Sequence, residues 1–304
     1  MWDYHMHLER GAQTVSYIEL FMAKAAGVGI IEIGVTEHLY RFREARNILW
    51  DDYVASRSVN TVGSHVSLIE RAREAGIPVK LGIEADYVPG KEREIERVLK
   101  MFPLDYAIGS VHWLDGWAFD LNPRDWEGRS VEAVYRKYYE TLGRAAESGL
   151  FDVIGHPGNI AYFGHRAPAS LLFDLEEEFL SRVARLPVAL EINSGGLIRP
   201  AKELFPRPDM ARRIAERGIP VTTGSDAHRP EDVGNDFPNL YRQMREWGFR
   251  EVLTFERRQR LPRAIPLAVS EPAATSMPSV GHNGCGGMEA CERAVGVRKA
   301  RTRR

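Results

Sequence analysis

The sequence predicts an α/β barrel of seven βα units with a metal site at the C-terminal ends of its strands. Three observations support this prediction: seven short apolar runs, helical patterns between them, and a metal-binding residue type at or near the end of each run. Short apolar runs bounded by turn residues are typical of buried strands. Strands that alternate with helices pair in parallel through right-handed crossovers. In such barrels the reactive groups gather at the C-terminal strand ends.

The predicted strands and helices follow one another in strict alternation. The strand runs are 2–7, 32–38, 79–84, 106–112, 151–156, 188–193 and 221–228. Apolar residues recur with helical spacing over 15–26, 62–75, 91–102, 131–148, 171–186 and 209–217. Seven such units over about 230 residues are too many for a small doubly wound domain and close to a barrel, with one unit fewer than the eightfold form.

We predict two segments: a barrel domain at residues 1–261 and a disordered basic tail at 262–304. A chain of 304 residues with 44% hydrophobic and 27% charged residues can bury a full core. The tail is rich in small and polar residues without periodicity, and it carries seven Lys and Arg against three Asp and Glu. Both cysteines, Cys285 and Cys291, lie in it, which favours a reducing, cytoplasmic setting.

Composition also limits the expected partners. No run approaches the ~20 apolar residues of a membrane span. The formal net charge of −1 gives no general attraction to nucleic acid or to membrane surfaces. We therefore expect neither a membrane nor a nucleic-acid partner, and the sequence makes no prediction of oligomeric state.

Two strand ends carry pairs of metal-ligand types at a spacing that brings them together. Side chains alternate between the faces of a strand, so His5 and His7 point the same way and can bind one cation. Asp226 and His228 repeat this arrangement. Glu84 ends a strand that should be buried, where an unpaired charge is too costly, so a metal or an arginine is expected beside it.

Three further strands end near His38, His112 and His156. Oxygen and imidazole donors without core cysteines suit Zn²⁺, Mn²⁺ or Fe²⁺. The donors exceed what one tetrahedral ion can use, so we expect two or three ions with a bridging carboxylate. Metals held ~4 Å apart can generate hydroxide from water and hold the attacking and leaving oxygens of a phosphoester.

Taken in order, the strand-end motifs resemble those of the PHP (polymerase and histidinol phosphatase) superfamily over residues 1 to about 255. They are His-x-His, Glu-His, Glu, Ser-Val-His, Gly-His-Pro, Glu-x-Asn and Ser-Asp-Ala-His. Residues 108–112 and 191–194 are most similar to the histidinol-phosphatase branch. The resemblance implies a distorted (β/α)7 barrel and a phosphoric monoester hydrolase, whose expected partner is a small-molecule phosphate ester. The implied reaction converts L-histidinol phosphate and water to L-histidinol and phosphate in histidine biosynthesis, by attack of a metal-bridged hydroxide.

The resemblance implies three ions, each bound by residues from several strand ends: His5, His7, Glu84 and Asp226 for the first, Glu84, His112 and His156 for the second, and His38 and His228 for the third. Many relatives have another histidine shortly after the first motif. This chain has Glu9 in that region, which either replaces the histidine as a ligand or is a surface carboxylate beside a less occupied site.

Catalytic and substrate-binding residues follow from the same resemblance. Asp226 is expected to hold the attacking hydroxide or accept its proton, and a metal or His228 is expected to neutralise the leaving alkoxide. Arg199 and Arg10 are candidate phosphate contacts, because guanidinium groups match phosphate geometry, although solvated surface arginines are the alternative. Asn193 is expected to orient ligands or substrate, together with Glu191.

Two other functions fit parts of the pattern. The same metal site with a different substrate pocket around it would hydrolyse nucleotides or another small phosphate ester, or act as a 3′-exonuclease. Relatives tend to carry basic residues after the fifth strand's histidine, whereas Pro157, Gly158 and Asn159 follow His156 here, which leaves the substrate open. A non-catalytic barrel stabilised by its ions is the third possibility.

Overall fold

The structure is a computed structural model that describes residues 1–49 and 51–267. The strands, in chain order, are β1 (Trp2–Asp3), β2 (Glu32–Val35), β3 (Val79–Asp86), β4 (Tyr106–Ser110), β5 (Trp113–Leu114), β6 (Trp117–Ala118), β7 (Val153–Ile154), β8 (Ala189–Asn193), β9 (Val221–Gly224), β10 (Glu251–Glu256) and β11 (Gln259–Ala264).

Seven of these strands form one parallel sheet that closes on itself. Their order is β1-β2-β3-β4-β7-β8-β9. The Tyr4 amide donates to the Thr223 carbonyl at 2.9 Å, and Met6 forms a parallel bridge with Ala227. The last strand therefore returns to the first, and the predicted seven-stranded barrel is confirmed.

Helices cover the outside of the barrel. They are α1 (Val15–Gly27), α2 (Asp52–Arg57), α3 (Val62–Glu74), α4 (Glu92–Leu99), α5 (Val131–Glu147), α6 (Ala169–Val183), α7 (Pro208–Glu216) and α8 (Phe237–Trp247). Short 3₁₀ turns lie at Leu39–Arg41, Arg43–Ala45, Pro123–Trp126, Asn159–Ala161, Gly195–Ile198 and Pro230–Asp232. Among the described residues, no helix combines the length and apolar character that crossing a membrane requires.

Some elements were not predicted. The short α2, the final helix α8 and the hairpins β5–β6 and β10–β11 add to the predicted alternation. Because β11 continues to Ala264, regular structure extends three residues beyond the predicted boundary at 261. The rest of the predicted tail, from residue 268 and including both cysteines, lies outside the described residues.

The lower part of the barrel interior is filled by an apolar cluster. Its buried members are Tyr4, Tyr106, Ile108, Val153, Ala189, Leu253 and Phe255. Phe255, from the β10–β11 hairpin, stacks on the Tyr106 ring with a centroid distance of 5.3 Å. The hairpin thus contributes side chains to the interior, which gives it a structural role that the sequence did not suggest.

Close approach across the barrel depends on a glycine. A β-carbon on Gly34 would overlap the Tyr106 hydroxyl group. Because Gly34 leaves this space open, the Tyr106 hydroxyl reaches the Tyr4 carbonyl and donates to it at 2.7 Å. The aromatic cluster supports the strands whose other ends carry the candidate ligands.

His65 on α3 is a buried histidine far from those strand ends. Its side chain packs edge-on against Phe42 at 5.4 Å, and neither ring nitrogen has a hydrogen-bond partner. Burial lowers the pKa of His65 to about 4. The imidazole is therefore neutral in the native state at neutral pH and has a structural role.

We predict that His65 makes the fold less stable in acid. Its pKa is about 4 in the native state and 6.5 when unperturbed, so between these values the unfolded chain binds more protons and stability falls as pH is lowered. The full effect of this shift is roughly 3 kcal/mol. The unfolding free energy of His65→Phe, measured with denaturant across this window, should depend less on pH than that of the parent.

The control is His165→Phe, which replaces a histidine that is only partly buried. This variant should keep the parent's pH dependence. An unchanged slope in His65→Phe would contradict the assignment.

Candidate metal centre

Glu84, on β3, lies at the centre of the candidate site with its side chain almost fully buried. Its Oε2 atom is 2.7 Å from His38 Nδ1, 3.4 Å from His5 Nε2 and 3.6 Å from His7 Nε2. These three histidines come from the ends of the first two predicted strands. One carboxylate oxygen therefore faces imidazoles from two neighbouring segments of the barrel.

The other carboxylate oxygen faces two more histidines. Glu84 Oε1 is 2.9 Å from His156 Nε2 and 3.6 Å from His112 Nε2. A carboxylate whose two oxygens face separate groups of nitrogen donors has the arrangement of a bridging ligand. The structure thus brings together the residues that the sequence assigned to the first two ions.

Asp226 joins this cluster to the end of the last barrel strand. Its Oδ1 atom is 3.2 Å from His7 Nε2, 3.3 Å from His228 Nε2 and 3.7 Å from His5 Nε2. His228, His7 and His38 together offer three nitrogen donors close enough to share one ion. The sequence suggested Glu9 as the third member of this group, whereas the structure has His7 in that position.

Donor spacing is the test of whether these residues fit metal ions. Ligand atoms ~2.0–2.2 Å from a tetrahedral ion lie roughly 3.3–3.6 Å from one another. Several distances in the cluster fall there, and four sets of donors lie mutually within 4.8 Å. The sets are His5–His7–Glu84, Glu84–His112–His156, His7–His38–His228 and His5–His156–Glu191. The residues fit a polynuclear divalent site.

Unpaired polar atoms lead to the same conclusion. His5 Nε2, His7 Nε2 and Glu84 Oε2 are buried and have no hydrogen-bond partner. Leaving such groups unsatisfied costs ~1–3 kcal/mol each. Bound cations would satisfy all three at once, since these atoms face one another.

Electrostatics favour the metal-binding forms of Glu84 and His7. Burial raises the pKa of Glu84, but attraction to His5, His38 and His112 outweighs it and leaves this pKa well below its usual value. Burial and the nearby His38 and His228 lower the pKa of His7. An ionised carboxylate and a neutral imidazole are the forms that bind a cation. For His5 and His112, burial is outweighed by the neighbouring carboxylates, which raise the pKa, to about 10 for His112, so these imidazoles would release a proton when they bind a cation.

Two candidate ligands adopt a left-handed backbone conformation. His156 has a φ of 28° and Asp226 has a φ of 50°. Such conformations are costly for residues other than glycine and persist where the surrounding structure enforces them, which is often at functional sites. The loops after β7 and β9 therefore hold these two side chains towards the cluster at some cost in stability.

Glu191 on β8 supports two of the candidate ligands. Its Oε1 atom is 2.8 Å from His5 Nδ1, and its Oε2 atom accepts a hydrogen bond from the His156 amide at 2.7 Å. A β-carbon on Gly224 would overlap Glu191 Oε1, so the glycine of β9 makes room for this contact. With its Nδ1 bound to Glu191, His5 presents Nε2 to the cluster, as the sequence reasoning on Glu191 anticipated.

Asp86 has the same role for His112 and was missed in the sequence. Its Oδ1 atom is 2.8 Å from His112 Nδ1 and also accepts from the His112 amide at 3.1 Å. Asp86 follows Glu84 by two residues on β3, so both side chains point to the same face. This i, i+2 spacing is the signal that would have revealed it.

Glu9 contacts the cluster through His228. Its Oε1 atom is 2.8 Å from His228 Nδ1, and its Oε2 atom is 3.3 Å from an Arg41 nitrogen. Glu9 belongs to none of the four donor sets among the described residues. This geometry places it behind His228, where it orients the ring, and its assignment as a ligand stays a prediction.

A cavity of about 140 Å³ opens beside the cluster. Arg10 and Arg199 both line it, as expected for phosphate contacts. The Arg199 side chain is mostly buried, and its Nη2 atom is 3.4 Å from Asp226 Oδ2. An arginine held next to the cluster by a candidate ligand is well placed to bind an anion there.

Asn193, the third predicted substrate contact, does not line this cavity. Its Oδ1 atom accepts a hydrogen bond from the Gly195 amide at 2.8 Å. Gly195 begins the 3₁₀ turn that leads to Arg199. Asn193 therefore supports the loop that carries the arginine, and any effect on a phosphate would pass through that loop.

Several cavity residues were missed because they lie on short elements and turns above the barrel rather than at the predicted strand ends. They are Tyr40, Tyr53, Trp113, Asp120, Leu121, Asn159 and Tyr162. No periodicity or spacing in the sequence marks them, since their convergence depends on the path of the chain above the barrel.

Comparison with known proteins shows the family to which this chain belongs. A profile described as PHP domain matches residues 3–195, and one described as PHP-associated matches residues 209–237. This chain belongs to the PHP family. Its sequence is 36% identical over 266 residues to a Deinococcus radiodurans protein named "Probable histidinol-phosphatase", which covers 86% of this chain and 98% of that protein.

A second relative and a solved structure extend the comparison. The histidinol-phosphatase of Bacillus subtilis is 26% identical over 205 residues, covering 61% of this chain and 76% of that protein. A crystal structure of histidinol phosphate phosphatase from Lactococcus lactis, in complex with zinc, L-histidinol and phosphate, aligns with a TM-score of 0.68 at 20% identity. That alignment covers 86% of this chain and 98% of the other, and it shows that the two folds are alike.

We predict that Glu191→Gln weakens metal binding by about 10- to 100-fold, the usual effect of losing a residue that orients a ligand. Glu191 accepts from two donors, one at each oxygen, whereas an amide can accept at only one. Either His5 or the His156 amide would lose its partner. Competition with a chromogenic chelator measures the affinity.

Glu178→Gln is the control, because Glu178 is an exposed residue of α6. It should leave affinity unchanged. Parent-like affinity in Glu191→Gln would show that the carboxylate does not orient its neighbours.

Proposed function

We propose that the protein is a metal-dependent phosphomonoester hydrolase that converts L-histidinol phosphate and water to L-histidinol and phosphate. The observation that carries the proposal is Glu84, whose two oxygens face five imidazoles beside a cavity lined by two arginines. The names of the Deinococcus and Bacillus relatives support the substrate, and the reaction would then belong to histidine biosynthesis.

The proposed metal ligands are the strand-end residues of the cluster: His5, His7, His38, Glu84, His112, His156, Asp226 and His228. Two or three Zn²⁺, Mn²⁺ or Fe²⁺ ions match the number and type of these donors. When bound, such ions lower the pKa of coordinated water and neutralise charge on phosphoryl oxygens. Glu9 is proposed to orient His228, and its ligation of the third ion stays a second proposal.

Asp226 is proposed to accept the proton of the attacking water. Its Oδ1 atom faces the cluster at His7 and His228, and it lines the cavity. Attraction to His228 outweighs burial and keeps the pKa of Asp226 well below its usual value, so the carboxylate is ionised. In this form it can accept a hydrogen bond from a neighbouring water. Because its low pKa makes it a weak base, it would take that water's proton once bound ions had made the water more acidic.

His228 is a weaker candidate for the acid that neutralises the leaving alkoxide. Its Nδ1 atom is 2.8 Å from Glu9, and its Nε2 atom is 3.3 Å from Asp226. Both nitrogens are engaged, so neither is directed to a leaving group. We therefore assign His228 to ligation and leave the alkoxide's charge to the cations and to water.

Arg199 and Arg10 are proposed to bind the phosphate. Guanidinium groups offer paired N–H donors that match phosphate oxygens, and stabilisation of their charge is the main task in phosphoryl transfer. The cavity volume of about 140 Å³ is small beside the ~300–1,000 Å³ of pockets that hold drug-sized ligands. A small phosphate ester suits it better than a nucleotide or a nucleic-acid strand.

The experiment that tests this function is a phosphate-release screen with purified protein and added Mn²⁺, Zn²⁺ or Fe²⁺. L-Histidinol phosphate should be hydrolysed in preference to nucleoside monophosphates, with released phosphate as the readout for both. Bis-p-nitrophenyl phosphate, followed by release of p-nitrophenol, and short single-stranded DNA, followed by strand shortening on a gel, should be poorer substrates. The variant His156→Ala should abolish this turnover and keep its fold, because it removes a donor from the strand end without emptying the apolar cluster.

The matched control is His165→Ala, since His165 stacks on Trp126 outside the donor sets. It should retain activity, and circular dichroism would show that all three proteins are folded. Turnover of a nucleotide but not of L-histidinol phosphate would overturn the substrate. Full activity in His156→Ala would overturn its assignment as a ligand.

A further inference from the structure

Asp120 is a carboxylate in the cavity that the proposed mechanism does not use. It lies among the lining residues with Trp113, Leu121 and Tyr162. Its Oδ1 atom is buried and has no hydrogen-bond partner, and no Lys or Arg of residues 1–49 and 51–267 forms an ion pair with it. The two cavity arginines are engaged elsewhere: Arg199 contacts Asp226, and Arg10 lies 3.9 Å from Glu9.

The backbone before Asp120 is fixed by hydrogen bonds at both the amide and the carbonyl group of Phe119. The Phe119 amide donates to the His112 carbonyl at 3.1 Å, and its carbonyl accepts from Trp126 Nε1 at 2.8 Å. The Phe119 side chain is fully buried against Tyr138, with a centroid distance of 5.7 Å. The β5–β6 hairpin therefore returns the chain to His112 and fixes Asp120 at the cavity wall before any ligand binds.

One oxygen of this fixed carboxylate has no hydrogen-bond partner, and the positive groups of the chain that act on Asp120 are His112 and His156, which belong to the candidate metal cluster. A cation on the ligand would give the free oxygen a partner of its own. Removing a carboxylate from water without a partner is costly, and a ligand that carries positive charge offsets that cost. Asp120 belongs to none of the metal-donor sets among the described residues. Its partner is then best sought in the part of the substrate that extends from the phosphate.

Aromatic residues close the same region of the cavity. Tyr40 contacts Trp113 edge-on at 5.5 Å and Tyr53 at 6.0 Å, and all three line the cavity. The face of an aromatic ring attracts cations, and it also packs against other flat rings. This wall and Asp120 together favour an organic cation over an inorganic ion or a neutral chain.

We propose that Asp120 is a specificity-determining residue that binds an ammonium or imidazolium group on the alcohol part of the substrate. The cavity would thus select phosphate monoesters that carry a cation. The proposal rests on the phosphomonoesterase function proposed above, and it extends that function from one compound to a chemical class. Asp120 acts on binding, so the variant Asp120→Asn should raise KM for cationic esters and leave kcat nearly unchanged.

A matched pair of esters tests the proposal directly. Phosphoethanolamine and n-propyl phosphate have nearly the same size and both release an alkoxide, but only the first carries an ammonium group. The parent should prefer phosphoethanolamine in kcat/KM by at least tenfold. Asp120→Asn should remove this preference, and it should lower kcat/KM for L-histidinol phosphate by a similar factor.

The control variant is Asp115→Asn. Asp115 lies in the same hairpin, is mostly exposed and pairs with Lys137 outside the cavity. Asp115 has a positive φ, which asparagine tolerates, so the fold should be kept. This variant should preserve the parent's preference, and the metal content of both variants should equal that of the parent.

Three outcomes would overturn the proposal. Equal losses on both esters and on p-nitrophenyl phosphate would show a structural or metal-binding role for Asp120. Loss on both alkyl esters but not on p-nitrophenyl phosphate would show that Asp120 protonates the leaving group. A parent enzyme without any preference for phosphoethanolamine would contradict the selection itself, whether or not the variant folds.

The same data separate this inference from the proposed function. A parent that hydrolyses phosphoethanolamine well and L-histidinol phosphate poorly would overturn the named substrate and leave the role of Asp120 intact. A parent that hydrolyses L-histidinol phosphate, with a variant that does so equally well, would support the function and overturn the inference.

Discussion

The burial of one ionised carboxylate, Glu84, is the constraint on which the rest of the site depends. A carboxylate inside a barrel is stable only if positive charge or hydrogen-bond donors surround it. The chain meets this requirement with imidazoles from four other strand ends, which face both of its oxygens. Several buried atoms of this cluster still have no hydrogen-bond partner, and divalent cations would satisfy them.

Stability and function are separated along the barrel axis. The lower interior is packed with aromatic and aliphatic side chains, including Phe255 from the final hairpin. The upper interior holds the buried polar cluster and two candidate ligands with positive φ, His156 and Asp226. Because apolar packing at one end supports the strands, the other end can keep strained and charged groups in position.

The sequence predicted the seven barrel strands and a common position for the candidate ligands, because both depend on local patterns. Strand alternation places His5 beside His7, and every parallel strand of a barrel delivers its last residues to the same end. Asp86 could have been found by the same reasoning but was missed. Helix α8 was missed as well, although its buried residues Leu240, Tyr241, Met244 and Trp247 recur at helical spacing.

The cavity was harder to predict, because its walls come from turns and short elements above the barrel, whose positions depend on tertiary contacts. Asp120 reaches the site only because the β5–β6 hairpin turns back and Phe119 is buried beside His112. Asn193 lies at a strand end as expected. Its side-chain oxygen, however, accepts a hydrogen bond from the Gly195 backbone amide, and the side chain does not line the cavity. Position along a strand predicted which end of the barrel a residue occupies, but not which side chains line the cavity.

The most direct test of the account is the number of metal ions bound per chain, measured by elemental analysis of the parent and of Glu84→Gln at equal protein concentration. We expect two or three ions in the parent. The variant should lose at least one ion and bind the remainder more weakly, because the neutral amide cannot bridge two cations. A Glu84→Gln protein with the parent's metal content and affinity would contradict the central role of this carboxylate.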